Sequence, residues 1–534
     1  MSKVAKYLQG HILGEITTRE DVRQSASFDH GVLTKTPEMV AYPKATGDIR
    51  KIARFAWQLA EKGHTLQIHP AGTGLSSTGA SLGKGLKILL SKHMNKVLEF
   101  DAKQKLVRLQ PGASVDSLQS ALRLHGLALP TLLGQTGTIG GAVADDVGGI
   151  FAGKYGTVRQ WVAQLEVVLD NGEVIQTERI SKYELSKRKG IQGRIGDIYR
   201  GIDIILEEHA DYIRKMPPET VLDRSGYPGI FDVKRKGGSF DLTPLLVGSQ
   251  GTLGVVSEMI LKTDFVPKEY TMAALAFSSE DEAHDAIDVL RSTNPGFLEY
   301  YDGSLFAKAL EQGKTYAWLG DSKKVAAVTV IGFDDFSEKS RERKLKKVLK
   351  SLEKMKCASV TNLKSEETLQ LQALLDIVNY TALPTDQGDL FGSELISNFY
   401  IPPVSFSEFT RELKALSESL HTELPLYGSP LSNVYAIRPQ LSMKKVSDKQ
   451  KIFKIIDRVN ALIMQLRGEL VAAGGEGRLL SRFARANWDD EYTQIVEKIK
   501  NVFDPHGIFN PEVKSTVELK ELVAELRKDN SIGM

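Results

Sequence analysis

Apolar residues recur at helical spacing through Ile49, Ile52, Ala53, Ala56 and Leu59, with Thr46 at the expected N-cap and Asp48 in the first turn; the run ends near Gly63. Residues 65–69 (TLQIH) then predict a short strand entering a glycine-rich loop. A second strand is predicted at 106–109 (LVRL), closed by Pro111-Gly112, and a helix at 115–125. Residues 163–169 and 173–177 flank Asn171-Gly172, a strong hairpin signal. Beyond Lys262 the pattern alternates, with strands predicted at 271–278, 297–301 and 325–333 and helices at 281–291, 304–311 and 338–355. From about Asn487 a helical repeat leads to a turn at 504–507 and a short extended piece. The last residues predict an exposed helix and a frayed tail. Helices mixed with antiparallel hairpins give an α+β fold rather than a doubly wound parallel sheet.

Composition narrows the function classes. With 534 residues, 42% hydrophobic and 25% charged, the chain has room for two or three domains. A net charge of +2 and the lack of a basic stripe argue against a nucleic-acid partner. The basic run RERKLKKVLKSLEKMK carries one apolar face (Leu345, Val348, Leu349, Leu352, Met355), so it reads as a packed helix with a solvated side. The single cysteine, Cys357, excludes an internal disulfide, a cysteine-ligated iron–sulfur cluster and any Cys-x-x-Cys motif, which fits a reducing, cytoplasmic setting. Gln9, Gly10, Gly14 and Glu15 interrupt the N-terminus before a signal-peptide core develops. The apolar run VAAVTVIGF is too short to span a bilayer, which leaves peripheral contact with the inner membrane face open.

The loop PAGTGLSSTGA suggests a phosphate cradle. It is not a dinucleotide fingerprint, because Ser77 stands where the third glycine belongs; it is not a Walker A loop, because only three residues separate Gly79 from Gly83-Lys84, and Gly85 follows the lysine. What remains is a nest of backbone amides that small residues leave accessible. Two further glycine loops, GTIGGAVADDVGG and GSQGTLG, sit near predicted strands, so three loops are available to wrap an extended ligand.

The stretches VAYPKATGDIRKIARFA, PAGTGLSSTGA, LVRLQPGASVDSLQSAL, TGTIGGAVADDVGGIFAGKYGTV, LVGSQGTLGVVSEMILKT and FDPHGIFNPEVK span roughly residues 38–263 and 500–514. In this order and spacing the chain resembles the FAD-linked oxidases with a vanillyl-alcohol-oxidase (PCMH-type) flavin domain, nearest the D-lactate dehydrogenase and glycolate oxidase branch. The resemblance implies a two-subdomain FAD-binding domain at 37–263 after an N-terminal segment at 1–36, an α+β cap at 264–486 with helices on an antiparallel sheet, and a C-terminal return at 487–534. It implies non-covalent FAD, with Ala71, Gly72, Thr73, Gly74, Leu75, Ser76 and Ser77 around the pyrophosphate. Thr138, Gly140, Gly141 and Ala144 would line the ribityl and isoalloxazine side, Gly251, Gly254 and Val255 the adenine, and Asn510 would approach the flavin ring. His69-Pro70 replaces the family's Arg-Gly, and His69 reads as a packing residue rather than a covalent anchor.

The same branch carries a His-x-x-Gly-Asp-Gly-Asn-x-His segment and a Gly-Glu-His-Gly segment, whose histidines and carboxylate hold a metal and remove the substrate's hydroxyl proton. In this chain Gly428 and Tyr435 fall at the two histidines and Ala473 and Gly474 at the Glu-His pair, while Asn433, Gly475, Gly477 and Arg478 keep the frame. No histidine lies nearer than His421 or His506, so no metal site is expected; Glu476 is the carboxylate that a register shift would supply. Tyr435 is the candidate acid, base or hydrogen-bond donor, and Arg438, Arg478 and Arg482 are candidate clamps for a substrate carboxylate. The expected activity is hydride transfer from a small 2-hydroxy acid of the D-lactate class to flavin N5, with oxygen, a quinone or a protein as acceptor. The alternatives are a flavoenzyme like the alkylglycerone-phosphate synthases and a flavin-binding protein without catalysis.

Overall fold

The computed structural model describes residues 3–311, 313, 316, 319, 324–353, 359–363, 391–392 and 394–528; Met355 and Cys357 lie outside them. Strands Glu15–Thr17, Met39–Tyr42, Leu86–Leu89 and Ile68–Ala71 form the first sheet in that order, the first pair antiparallel and the others parallel. Helix Thr46–Ala60 lays Ile49, Ile52, Ala53 and Ala56 into the adjoining core. Its N-cap is Ala45 rather than Thr46. The nearby turn is organised instead by the buried Asp48 carboxylate, which accepts from the N–H groups of Leu13, Gly14 and Lys44 at 2.8–2.9 Å. The strand predicted at 65–69 lies at Ile68–Ala71, because pairing with Leu86–Leu89 draws it to the mouth of the glycine loop.

The second sheet is antiparallel, in the order Val97–Asp101, Leu106–Leu109, Val255–Lys262, Val162–Val168, Val174–Thr177. The last two strands make the hairpin, closed by residues 169–173 with Gly172 at φ +81° rather than by a tight two-residue turn. Helices Arg194–Glu208 and Asp490–Phe503 share the core of this sheet, so the C-terminal segment packs here. It then joins the first sheet: Ile68 donates to Ile508 O at 2.8 Å and Asn510 donates to Ile68 O at 3.0 Å.

Residues 525–527, just after helix Leu519–Ala524, differ from the exposed, fraying tail that the polar sequence predicts, while residues 529–534 of that expected tail lie outside the described residues. Leu526 and Arg527 are buried, and Leu526 bridges to Leu33. Glu525 anchors this segment between Lys35 and Arg478, 2.7 Å from each. Burial with paired charges overrides local polarity.

The cap holds a seven-stranded antiparallel sheet, ordered Ser359–Leu363, Thr271–Phe277, Ala327–Phe333, Phe297–Asp302, Leu426–Ser429, Val434–Ile437, Ile396–Tyr400. Helices Glu280–Arg291, Glu338–Leu352, Phe406–Leu420 and Val446–Gln465 share one core with Leu298, Tyr300 and Tyr435. The basic helix buries Leu345, Val348 and Leu352 there. The opposite face packs Phe297, Tyr301, Val328 and Val330 against Ala128, Leu133 and Phe151 of the N-terminal part. Strand parity therefore decides which cap residues look toward the loops.

Candidate active site

The three glycine loops converge on one cleft of about 1230 Å³. That exceeds the roughly 300–1,000 Å³ of an ordinary small-ligand pocket. Ala71, Gly72, Thr73, Gly74, Leu75, Ser76 and Ser77 line it, with Thr138, Gly140, Gly141, Ala144, Gly251 and Gly254. Among the described residues, the backbone N–H groups of Thr73, Gly74, Leu75, Ser76 and Ser77 have no hydrogen-bond acceptor. Such a row of donors suits a pyrophosphate. The loops also touch: a Cβ on Gly72 would collide with Thr138 Oγ1, and one on Gly137 would meet Leu75 Cδ1 at 2.7 Å. The cradle thus has free donors and requires glycine, and these residues fit a dinucleotide cofactor.

Val255 and Asn510 do not line the cleft. Val255 is buried in the core of the first sheet, while its neighbour Val256 takes the place at the wall. Asn510, at φ +44°, spends its side chain inside the scaffold. Its Nδ2 donates to Ala80 O at 2.7 Å and Gln250 O at 2.8 Å, and its Oδ1 sits 2.8 Å from His69 Nδ1. His69 is wholly buried, and loss of solvent pushes its imidazole down to about 4, so it stays neutral. Gln250 ties the third loop to the second and to the chain's return: its Nε2 donates to Asp145 at 2.8 Å and its Oε1 accepts from Gly477 N at 3.0 Å. Asp145 lines the cleft, and burial raises its carboxyl to about 6.

The cap closes the cleft with the polar side of its sheet. Glu299 and Tyr301 come from one strand and Tyr427 and Ser429 from the next, with Glu394 and Arg438 beside them. Arg438 Nη2 donates to Glu394 Oε1 at 2.6 Å and lies 3.2 Å from the Tyr427 hydroxyl, which also donates to Glu394. Burial and the Glu394 carboxylate hold the Tyr427 phenol well above its ordinary range, although Arg438 opposes them.

Of the other sequence-derived candidates, Tyr435 stays at the cleft and the two arginines do not line it. Tyr435 borders the cleft, but its ring stacks on Phe406 at 4.7 Å and lies 6.3 Å from Phe399. It shares the helix-facing side with Tyr300, since both pair with Gly428. Arg478 is fully buried, outside the cleft lining, with Glu512 and Glu525 on its two terminal nitrogens. Arg482 is exposed and also outside the lining.

Glu476 is paired with Lys514 at 2.7 Å, both wholly buried, and accepts from Gly226 N at 2.8 Å. With Gly428, Ala473 and Gly474 at the other positions, the donor set does not fit a divalent metal. Among the described residues no group of three His, Cys, Asp or Glu is placed to hold one.

Residues 37–178 match the family model of an FAD binding domain, and residues 266–513 match that of the C-terminal domain of FAD linked oxidases. Two such modules, meeting at one cleft, define a flavoprotein of two parts. The chain belongs to the FAD-linked oxidase family, and its cofactor is FAD. It is 24% identical to a D-2-hydroxyglutarate dehydrogenase of Pseudomonas putida, covering 93% of this chain but 50% of that protein; the chain thus spans about half the length of that relative. It is also 24% identical to a D-lactate dehydrogenase of Archaeoglobus fulgidus, over 89% of this chain and 90% of the relative. A glycolate oxidase subunit GlcD of Bacillus subtilis matches at 24%, over 89% and 88%. Among solved structures, a 4-ethylphenol oxidase from Gulosibacter chungangensis superposes with a TM-score of 0.66 at 15% identity over 97% of both chains, and an alkyldihydroxyacetonephosphate synthase with 0.63 at 15% over 96% and 86%. These likenesses extend the fold assignment to the whole chain. No described helix is long and apolar enough to cross a membrane.

Proposed function

We propose that this protein is an FAD-dependent dehydrogenase that oxidises a small 2-hydroxy acid of the D-lactate class, with FAD held non-covalently. The observation that carries the reading is the wall opposite the glycine loops: a sheet face bearing a carboxyl, two phenols and Arg438 within the same cleft. FAD, when bound, accepts a hydride from the substrate carbon at N5. The chain's own residues then hold the acid and shield it. Arg438 is the cation of the described cap wall; shared with Glu394 and Tyr427, it offers its charge to a substrate carboxylate. The relatives named as D-lactate dehydrogenase and glycolate oxidase subunit support a hydroxy acid as substrate.

The purified protein should be yellow. Without oxygen, its flavin absorbance should bleach on addition of D-lactate or another member of a panel of D-2-hydroxy acids. A yellow protein that no hydroxy acid bleaches would sink this reading. The electron acceptor is then found by testing oxygen, a soluble quinone and an artificial one-electron dye against the reduced enzyme.

A further inference from the structure

The cap sheet buries one carboxyl that nothing in the fold explains. Glu299 lies on the fourth of seven strands and is 7% exposed. Alternation puts it on the face of Phe297 and Tyr301, and it pairs with Val330, which faces the same way. Its Oε1 has no hydrogen-bond partner, and the residue lines the cleft. Its hydrogen-bonding help comes from Ser429 on the adjacent strand, whose hydroxyl is also engaged with Leu298 O at 2.9 Å. A carboxyl at the centre of a sheet costs stability unless paired, and an apolar residue would suit the position if packing alone mattered.

We propose that Glu299 is the proton acceptor of this active site, taking the hydroxyl proton of the substrate as the α-hydrogen leaves with its electron pair to FAD. The inference rests on the hydroxy-acid reading above. The balance closes: the substrate loses H⁺ from oxygen and H⁻ from carbon to become a 2-oxo acid, FAD gains the hydride, and Glu299 gains the proton. The position is chemically apt, because the base lies across the cleft from the flavin-binding loops and beside the phenols of Tyr301 and Tyr427. It replaces a function for which the histidine positions of the branch, Gly428 and Tyr435 here, provide no imidazole.

Burial raises the Glu299 carboxyl to about 8. The titratable groups that interact with it are Tyr301 on its own strand and, from the helix-facing side two strands away, Tyr435; Tyr427 stands on the next strand, and the Arg438–Glu394 pair lines the same cleft. The reductive rate should therefore rise with pH through about 8 and level off above it, since only the ionised form accepts a proton.

The test uses the FAD-loaded full chain. Anaerobic stopped-flow reduction by the hydroxy acid that bleaches the wild type should slow by roughly 10²–10⁴-fold in Glu299→Gln. Glu299→Asp should recover part of the rate and keep a pH-dependent profile. A second readout needs no substrate: in the oxidised protein the infrared C=O band of a protonated carboxyl should be lost as pH rises through about 8 in the wild type, and that change should be missing in Glu299→Gln. Circular dichroism and retained yellow colour establish that the variants fold. A wild type that is bleached, with Glu299→Gln bleached at the same rate and with the same pH profile, would overturn the role of Glu299 alone. A wild type that no hydroxy acid bleaches would overturn the substrate reading and this inference with it.

Discussion

The hydroxyl of Tyr435 is buried without a hydrogen-bond acceptor, so Tyr435→Phe should change stability by less than about 1 kcal/mol and leave flavin reduction unaltered. Tyr427→Phe should behave differently, because it removes a donor to Glu394 beside Arg438; a raised KM for the acid in steady-state assays is the expected result. Tyr435 occupies a histidine position of the family's motif, which makes it the candidate by sequence. The parity of one strand pair turns its ring toward the helices, so that it only borders the cleft, and sets Tyr427 on the face that closes it. Glu299 has a signal in the sequence, a glutamate within the otherwise apolar and aromatic FLEYY, but only the burial of both faces of that strand makes it significant. Its folded-state carboxyl, raised from 4.5 to about 8, keeps a proton that the unfolded chain releases between those values. Wild-type stability should thus fall as pH rises through that window, by a few kcal/mol at about 1.36 kcal/mol per unit. Denaturant melts of Glu299→Gln at pH 5 and pH 8 should show a stabilisation relative to wild type that appears only at the higher pH.

At the level of elements, the glycine loops derive their use from what stands next to them. Gly72→Ala forces a methyl against Thr138 Oγ1, so the two loops must separate; the purified variant should contain little FAD and bind added FAD far more weakly, by absorbance titration. Arg478 shows the reverse case. Its ion pairs with Glu512 and Glu525 join the turn after Gly477 to the C-terminal segment, and its side chain stays outside the cleft lining. Breaking a buried pair leaves uncompensated charge at about 3–5 kcal/mol. Arg478→Met should therefore lower Tm strongly while FAD-loaded protein keeps its KM, whereas Arg438→Met should raise KM with a smaller effect on Tm. The hairpin, the LVRL strand and the amphipathic helices were legible because their periodicity matches the side they bury. Asn510 was legible as important but not as to its role, since its three side-chain contacts come from residues 430, 260 and 441 positions away.

Over the whole molecule, the cleft proposed to hold the cofactor lies between the glycine loops and the cap sheet, so binding and folding are linked. Adding FAD to deflavinated protein at 100 times its Kd should stabilise it by about 2.7 kcal/mol, read as a rise in Tm. The sequence by itself determined the α+β class, the three-loop cradle, the family and the loss of the branch's histidine site, because these depend on local periodicity, on the steric permissiveness of glycine and on which side chains exist at given positions. Tertiary structure alone decided which polar residues share the cleft. Strand parity turned the ring of Tyr435 toward the helices, leaving it at the border of the cleft, and brought Tyr427 and Glu299 to the wall, while long-range ion pairing withdrew Arg478 and Glu476 into the scaffold. Those outcomes depend on pairing partners far apart in the chain, which short-range pattern does not encode.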